Sequence, residues 1–216
     1  MNWVLDNLDL IGRLSLEHLR LSITPILAGL LIAIPLGWLA HRYRLARGAL
    51  LTSAGLLYTI PSLALFVIIP PILGISYLSE LNVTIALTLF VIAIMARSVA
   101  DALDSVDGNV RQSAVAVGYG ALRRFFTVDL PLAGPVILSG LRVAAASTVS
   151  LVTVGILIGV ESLGYLFTNG YQRRIVEEIF SGVVMVMLVA LLIDLALVAL
   201  GRLAMPWARR PGRAAR

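Results

Sequence analysis

The sequence predicts an all-α protein, a polytopic membrane helix bundle of about five spans, with its N-terminus outside and its C-terminus in the cytoplasm. Three observations carry that reading. Of 216 residues, 59% are hydrophobic and only 13% are charged, where soluble domains carry roughly a quarter, and the mean hydropathy is +0.96. Apolar runs recur at close to the ~20 residues that a helix needs to cross a bilayer. The basic residues, all of them arginine, gather at the ends of those runs. That placement suits membrane topology better than nucleic acid, which the formal charge of +5 would otherwise suggest. The absence of cysteine excludes a disulfide framework and thiolate metal sites.

Residues 1–18 contain Asp6, Asp9 and Glu17 and lack the basic-then-apolar order of a cleaved signal peptide. They read as a retained extracytoplasmic segment, a short interfacial helix anchored by Trp3. Residues 19–203 form one membrane domain. Its spans are expected at 21–40, 48–69, 81–96, within 132–160, and at 179–201, with the short third run borrowing from the preceding GISYLSE. Pro25, Pro35, Pro61 and Pro135 fall in or beside these runs; neighbouring helices and Ser/Thr side chains satisfy the backbone groups a membrane proline frees. Gly155 and Gly159 make a small-xxx-small pattern suited to helix packing. Residues 204–216 form a basic cytoplasmic tail that acts as a topological anchor or touches anionic lipid.

Orientation follows from the arginines. Arg42, Arg44, Arg47, Arg97, Arg111, Arg123, Arg124, Arg142, Arg202, Arg209, Arg210, Arg213 and Arg216 fall on one side, against Arg13, Arg20, Arg173 and Arg174 on the other. The richer side is cytoplasmic. Residues 98–131 then form a long cytoplasmic loop, read as an amphipathic helix broken at Gly118 and Gly120 and a second short helix stopped by Pro131.

Within that loop stand Gln112-Ser113-Ala114, three residues, Gly118, nine residues, and Val128-Asp129-Leu130-Pro131. The spacing resembles the EAA motif of binding-protein-dependent ABC importer permeases, Glu-Ala-Ala, Gly and Ile-x-Leu-Pro, with Gln for Glu, Ser for the first Ala and Val for Ile. The resemblance implies that the loop is a coupling helix docking on a separate ATPase. Gln112, Ser113, Ala114, Gly118, Arg123, Arg124, Leu130 and Pro131 would form the coupling element, with Phe125 and Phe126 as a buried anchor. It also implies partners: a cytoplasmic ABC ATPase dimer that holds the ATP and magnesium, a second permease copy or homologue, and an extracytoplasmic solute-binding protein. The setting is a bacterial or archaeal cell membrane.

What the chain lacks points the same way. A P-loop needs a lysine and this chain has none, nor does it carry His-Glu-x-x-His or Gly-x-Ser-x-Gly. No cofactor, metal site or enzymatic constellation is expected on it. His18 and His41 read as surface or interfacial residues.

The run LYTIPSLALFVIIPPILGI (57–75) resembles the osmoprotectant subfamily, importers of glycine betaine, choline or carnitine. Tyr58, Thr59, Pro61, Ser62 and Phe66 are the pathway candidates, a quaternary cation being well held by aromatic faces; the alternative is a simple helix kink. An importer of an amino acid or sulfur betaine is the nearest rival. In the outer loop 161–178, Tyr171, Arg173, Arg174, Glu177 and Glu178 are candidates for docking the binding protein; a plain solvated loop is the alternative. Asp194, an acid inside a span, either faces the pathway or pairs with an arginine. An ion-coupled secondary transporter would use such an acid.

Overall fold

The computed structural model describes residues 2–209, so Arg210, Arg213 and Arg216 of the basic tail lie outside the described residues. The described chain is helical, with no strand among these residues. A short helix α1 (Asn2–Asp6) precedes α2 (Leu8–Arg42), α3 (Arg44–Thr59), α4 (Ser62–Leu73) and α5 (Glu80–Asp104). Then come α6 (Gly108–Ala116), α7 (Ala121–Arg124), α8 (Leu130–Val152), α9 (Gly164–Arg173) and α10 (Val176–Ala204). Four helical stretches among the described residues are long and apolar enough to cross a membrane, and five if the bent pair α3–α4 is counted as one span.

The 35-residue α2 absorbs most of the segment read as separate from the first span. Its stripe Gly29, Ala33 and Gly37 is buried, and a Cβ at Gly29 or Gly37 would lie 2.4 and 2.5 Å from the side chains of Val91 and Val99. The two helices therefore approach closely, as small residues allow in membranes. The Gly155/Gly159 pattern is not a helix-face stripe of this kind, because it falls in a 3-10 segment (Thr153–Ile158) and its cap, where Gly159 takes φ +81°. The central helix is α5, with Met95, Val99, Ala102 and Leu103 buried against α2 and α8 residues such as Ile137 and Leu141. From GISYLSE it takes only Glu80, with Ser79 as its N-cap, and it runs eight residues beyond Ala96, into what reads from sequence as loop.

Two further expectations change. The second span is two helices, bent by 108° at Ile60–Pro61, where Pro61 offers no N–H and Ile60 turns to Leu57 O at 3.2 Å. Pro131 does not stop a helix. A π-helical turn (Phe125–Asp129) precedes it, with Leu130 N–H reaching back to Phe125 O, and the extra residue lets α7 run on into α8 past the proline.

Ion pairs stitch both ends of the bundle. At one end Arg47 holds Asp104 (2.6 Å) and Asp101 (3.1 Å), and His41 meets Asp104 at 2.5 Å. At the other, Arg13 meets Glu161 (2.7 Å), and Arg20 bridges Glu17 (2.9 Å) and Glu80 (2.6 Å). The arginine pairs are largely solvent-screened and add little to stability. His18 is not at the surface: it is fully buried, its Nε2 3.0 Å from Val149 O. That carbonyl lies where α8 tightens into the 3-10 segment, so a side chain replaces the lost helical donor.

Candidate functional site

Between α5 and α8 the chain builds a small, stiff projection. Asp107 caps α6 by accepting from Asn109 N–H at 2.8 Å. The other end of α6 closes as a Schellman turn: Gly118 N–H bonds Val115 O (2.9 Å) and Tyr119 N–H bonds Ala114 O (3.0 Å). This geometry needs φ +89° at Gly118, a value glycine takes at no steric cost. Ala114 faces inward, while Gln112 and Ser113 are exposed, as is Val115. Arg123 is exposed and lies 4.4 Å over the Tyr119 ring.

The projection is fastened to the bundle by Asp129, which stands at the variable position of the Val128-Asp129-Leu130-Pro131 run and is not among the coupling candidates the sequence suggests. Its side chain is 4% exposed and accepts from Arg111 Nε (2.9 Å) on α6 and Arg124 Nε (3.2 Å) on α7. Arg111 also donates to Leu103 O near the end of α5. One buried carboxylate thus joins α6 and α7 to the start of α8, and through Arg111 to α5. Signals were present: Asp129 is the only acid in 108–131, and arginines stand on both sides of it.

The two phenylalanines part company. Phe125 is buried in this chain's own core, its ring 5.6 Å from that of Trp38 on α2. It is no free anchor, because the π-helical turn aims it at the bundle; Phe126 is 60% exposed. Leu130 and Pro131 are half-buried where α8 begins. Val115, Val117, Leu122 and Phe126 leave large apolar side chains uncovered on the projection, as protein-contacting surfaces do.

The profile of the family described as binding-protein-dependent transport system inner membrane component matches residues 27–210. The chain belongs to this family. It is 29% identical over 196 residues to the osmoprotectant import permease protein OsmW of Salmonella typhimurium, covering 90% of this chain and 91% of that protein. It is 30% identical over 184 residues to the choline transport system permease protein OpuBB of Bacillus subtilis, covering 84% and 82%. Among solved structures, a chain of the MetNI methionine ABC transporter in an inward-facing conformation shares the fold, with TM-score 0.78 over 91% of this chain and 97% of that one at 21% identity. The protein is a membrane permease component.

The remaining candidates of this permease separate by burial. Tyr58 is 50% exposed and meets Phe90 edge-on at 6.0 Å. Thr59 and Pro61 are exposed and Ser62 is half-buried at the start of α4. Phe66 is fully buried, packed in the cluster of Val83, Ala86 and Leu87, so it lines no path in this chain. Its carbonyl accepts from Asn82 Nδ2 at 2.8 Å. Tyr171, Arg173, Arg174 and Glu177 are exposed around the end of α9, but Glu178 is fully buried and accepts from Asn169 Nδ2 at 2.6 Å, so it is no rim contact. Asp194 pairs with Arg142 of α8, both carboxylate oxygens engaged at 2.6 and 2.8 Å. No cluster of three or more metal-ligating side chains occurs among the described residues.

Proposed function

We propose that this permease forms half of the translocation path of an ATP-driven importer of quaternary-ammonium osmoprotectants such as glycine betaine, choline or carnitine. In this reading α6 is the element a separate ATPase dimer grips. The observation that carries the mechanical part is the exposed α6, tied through Arg111 and Asp129 to both α5 and α8. A push on α6 reaches two spans through buried, charge-assisted contacts rather than through a slack loop. The substrate class rests on the likeness to OsmW and OpuBB together with the 57–75 run.

The N-terminus lies outside and the C-terminus inside, by the arginine distribution. ATP and magnesium bind the ATPase, and the basic tail lies on the cytoplasmic face. A second permease, identical or homologous, completes the path. An extracytoplasmic binding protein delivers solute to the α9 end, where Tyr171, Arg173, Arg174 and Glu177 are uncovered. ATP closes the motor dimer, α6 carries the movement into α5 and α8, the spans open outward, and hydrolysis resets them. An ion-coupled carrier is disfavoured because both oxygens of Asp194 are held by Arg142, leaving it poorly placed to exchange a proton or sodium ion.

The test is uptake of labelled choline and glycine betaine by proteoliposomes holding the permease, its ATPase and its binding protein. Uptake of at least one solute only with ATP on the α6 side is the expected result. Hydrolysis stimulated by the binding protein without uptake of either solute removes the substrate class. Uptake without ATP that a protonophore stops removes the motor.

A further inference from the structure

We infer that the break in the second span is a subsite for a quaternary ammonium cation, formed by the carbonyl end of α3 and the ring of Tyr58. The choice of cation rests on the proposed substrate class. The break lies at depth in the bundle, since Tyr58 meets Phe90 near the middle of the 25-residue α5. After Thr59 the backbone is extended, with ψ 126° at Ile60 and 134° at Pro61. No helical turn follows to take the carbonyls of Tyr58 and Thr59. Leu57 O receives Ile60 N–H (3.2 Å) and Leu56 O receives the Thr59 hydroxyl (2.7 Å).

This break is uncovered. Tyr58 is 50% exposed and Thr59 and Pro61 are exposed, while Leu65, Phe66 and Ile69 on the far side of the bend are buried against α5. Irregular backbone at membrane depth is tolerated only in protein or beside a water-filled cavity, not against hydrocarbon. The break therefore faces away from lipid, on the side where the second permease completes the path. The outer face of α10 is of another kind, with Leu188, Leu191, Leu192 and Leu195 exposed as lipid requires.

The chemistry at the break selects a cation without donors. The C-terminal end of a helix carries about half a negative charge, and half-helix ends with unwound carbonyls hold cations in other membrane proteins. A quaternary ammonium group offers no N–H, so dipoles and a π face recognise it where directed hydrogen bonds do not. Residues 44–73 contain no Asp or Glu. Attraction without a fixed anion is weak enough to release the solute, as conduction requires.

The chain has no cysteine, so the near-isosteric Thr59→Cys introduces a single thiol. In proteoliposomes it is reacted with a trimethylammonium and with a sulfonate methanethiosulfonate reagent, and the rate ratio is compared with that at Tyr171→Cys, an 80% exposed reference. The expected ratio is about tenfold higher at Thr59→Cys, the scale a focused local potential gives. Choline slows the reaction, and adding Tyr58→Leu brings the ratio toward the reference. A ratio equal to the reference, or no labelling by either reagent in folded protein, overturns the subsite. Failure of the wild type to import choline strikes the substrate class instead, and the labelling ratio still decides whether the break favours cations.

Discussion

Deleting residues 112–120, or replacing Gly118 by Asp, is expected to abolish uptake while the protein still inserts into the membrane. The deletion removes the second half of α6 and its Schellman turn but none of the apolar spans, so insertion, which depends on hydropathy, is spared. The point substitution acts on one backbone angle. At φ +89° a side chain is strained by about 1–3 kcal/mol. A carboxylate at the C-terminal end of a helix adds a further ~0.3–1 kcal/mol of unfavourable dipole interaction. Nothing beyond its own chain neighbours lies within 4 Å of where its Cβ would stand, so the loss is conformational, not a clash with the rest of the fold. Uptake is compared with the amount of permease in the membrane. Full uptake by the inserted deletion variant would remove α6 from the mechanism.

Asp129→Ala is expected to have the second largest effect. The carboxylate is 4% exposed and is the shared acceptor for Arg111 and Arg124. Removing one partner of a buried ion pair costs about 3–5 kcal/mol, because the remaining charge is left uncompensated. Here two guanidinium groups lose their acceptor, and with it α6 loses its tie to α8. Uptake is expected to fall further than ATP hydrolysis stimulated by the binding protein, so that less solute moves per ATP consumed. Measuring both rates in the same proteoliposomes gives that quotient. Asp129→Asn keeps an acceptor oxygen and is expected to lose less. An unchanged quotient in Asp129→Ala would mean that the tie carries no motion.

The sequence reveals the spans better than their internal geometry. Runs such as 179–201 are governed by hydropathy, which is additive along the chain, and α10 follows that run within three residues at each end. Burial inside the bundle is another matter. Phe66 and Phe125 sit in segments rich in function-like residues, yet each packs into this chain's own core because of helix rotation. That rotation is set by the 108° bend in one case and the π-helical turn in the other. Glu178 reads as a surface acid beside Glu177 but turns inward to Asn169. His18 is buried because a carbonyl on α8, 131 positions away, waits for it. Such long-range partners leave no local periodicity. The projection was legible through the spacing of Gly118 and Pro131, whereas the pairing that fastens it, Arg111 and Arg124 on Asp129, had to be seen in space.

Whether α6 touches the motor decides the coupling mechanism most directly. Val115, 53% exposed on α6, is replaced by Cys in the otherwise cysteine-free chain and given a photoreactive maleimide in the assembled transporter. An adduct with the ATPase subunit whose yield changes when ATP is added is expected, and none from the same probe at Tyr171→Cys at the opposite end of the bundle. An ATPase adduct from Tyr171→Cys with none from Val115→Cys would contradict both the orientation and the coupling role of α6.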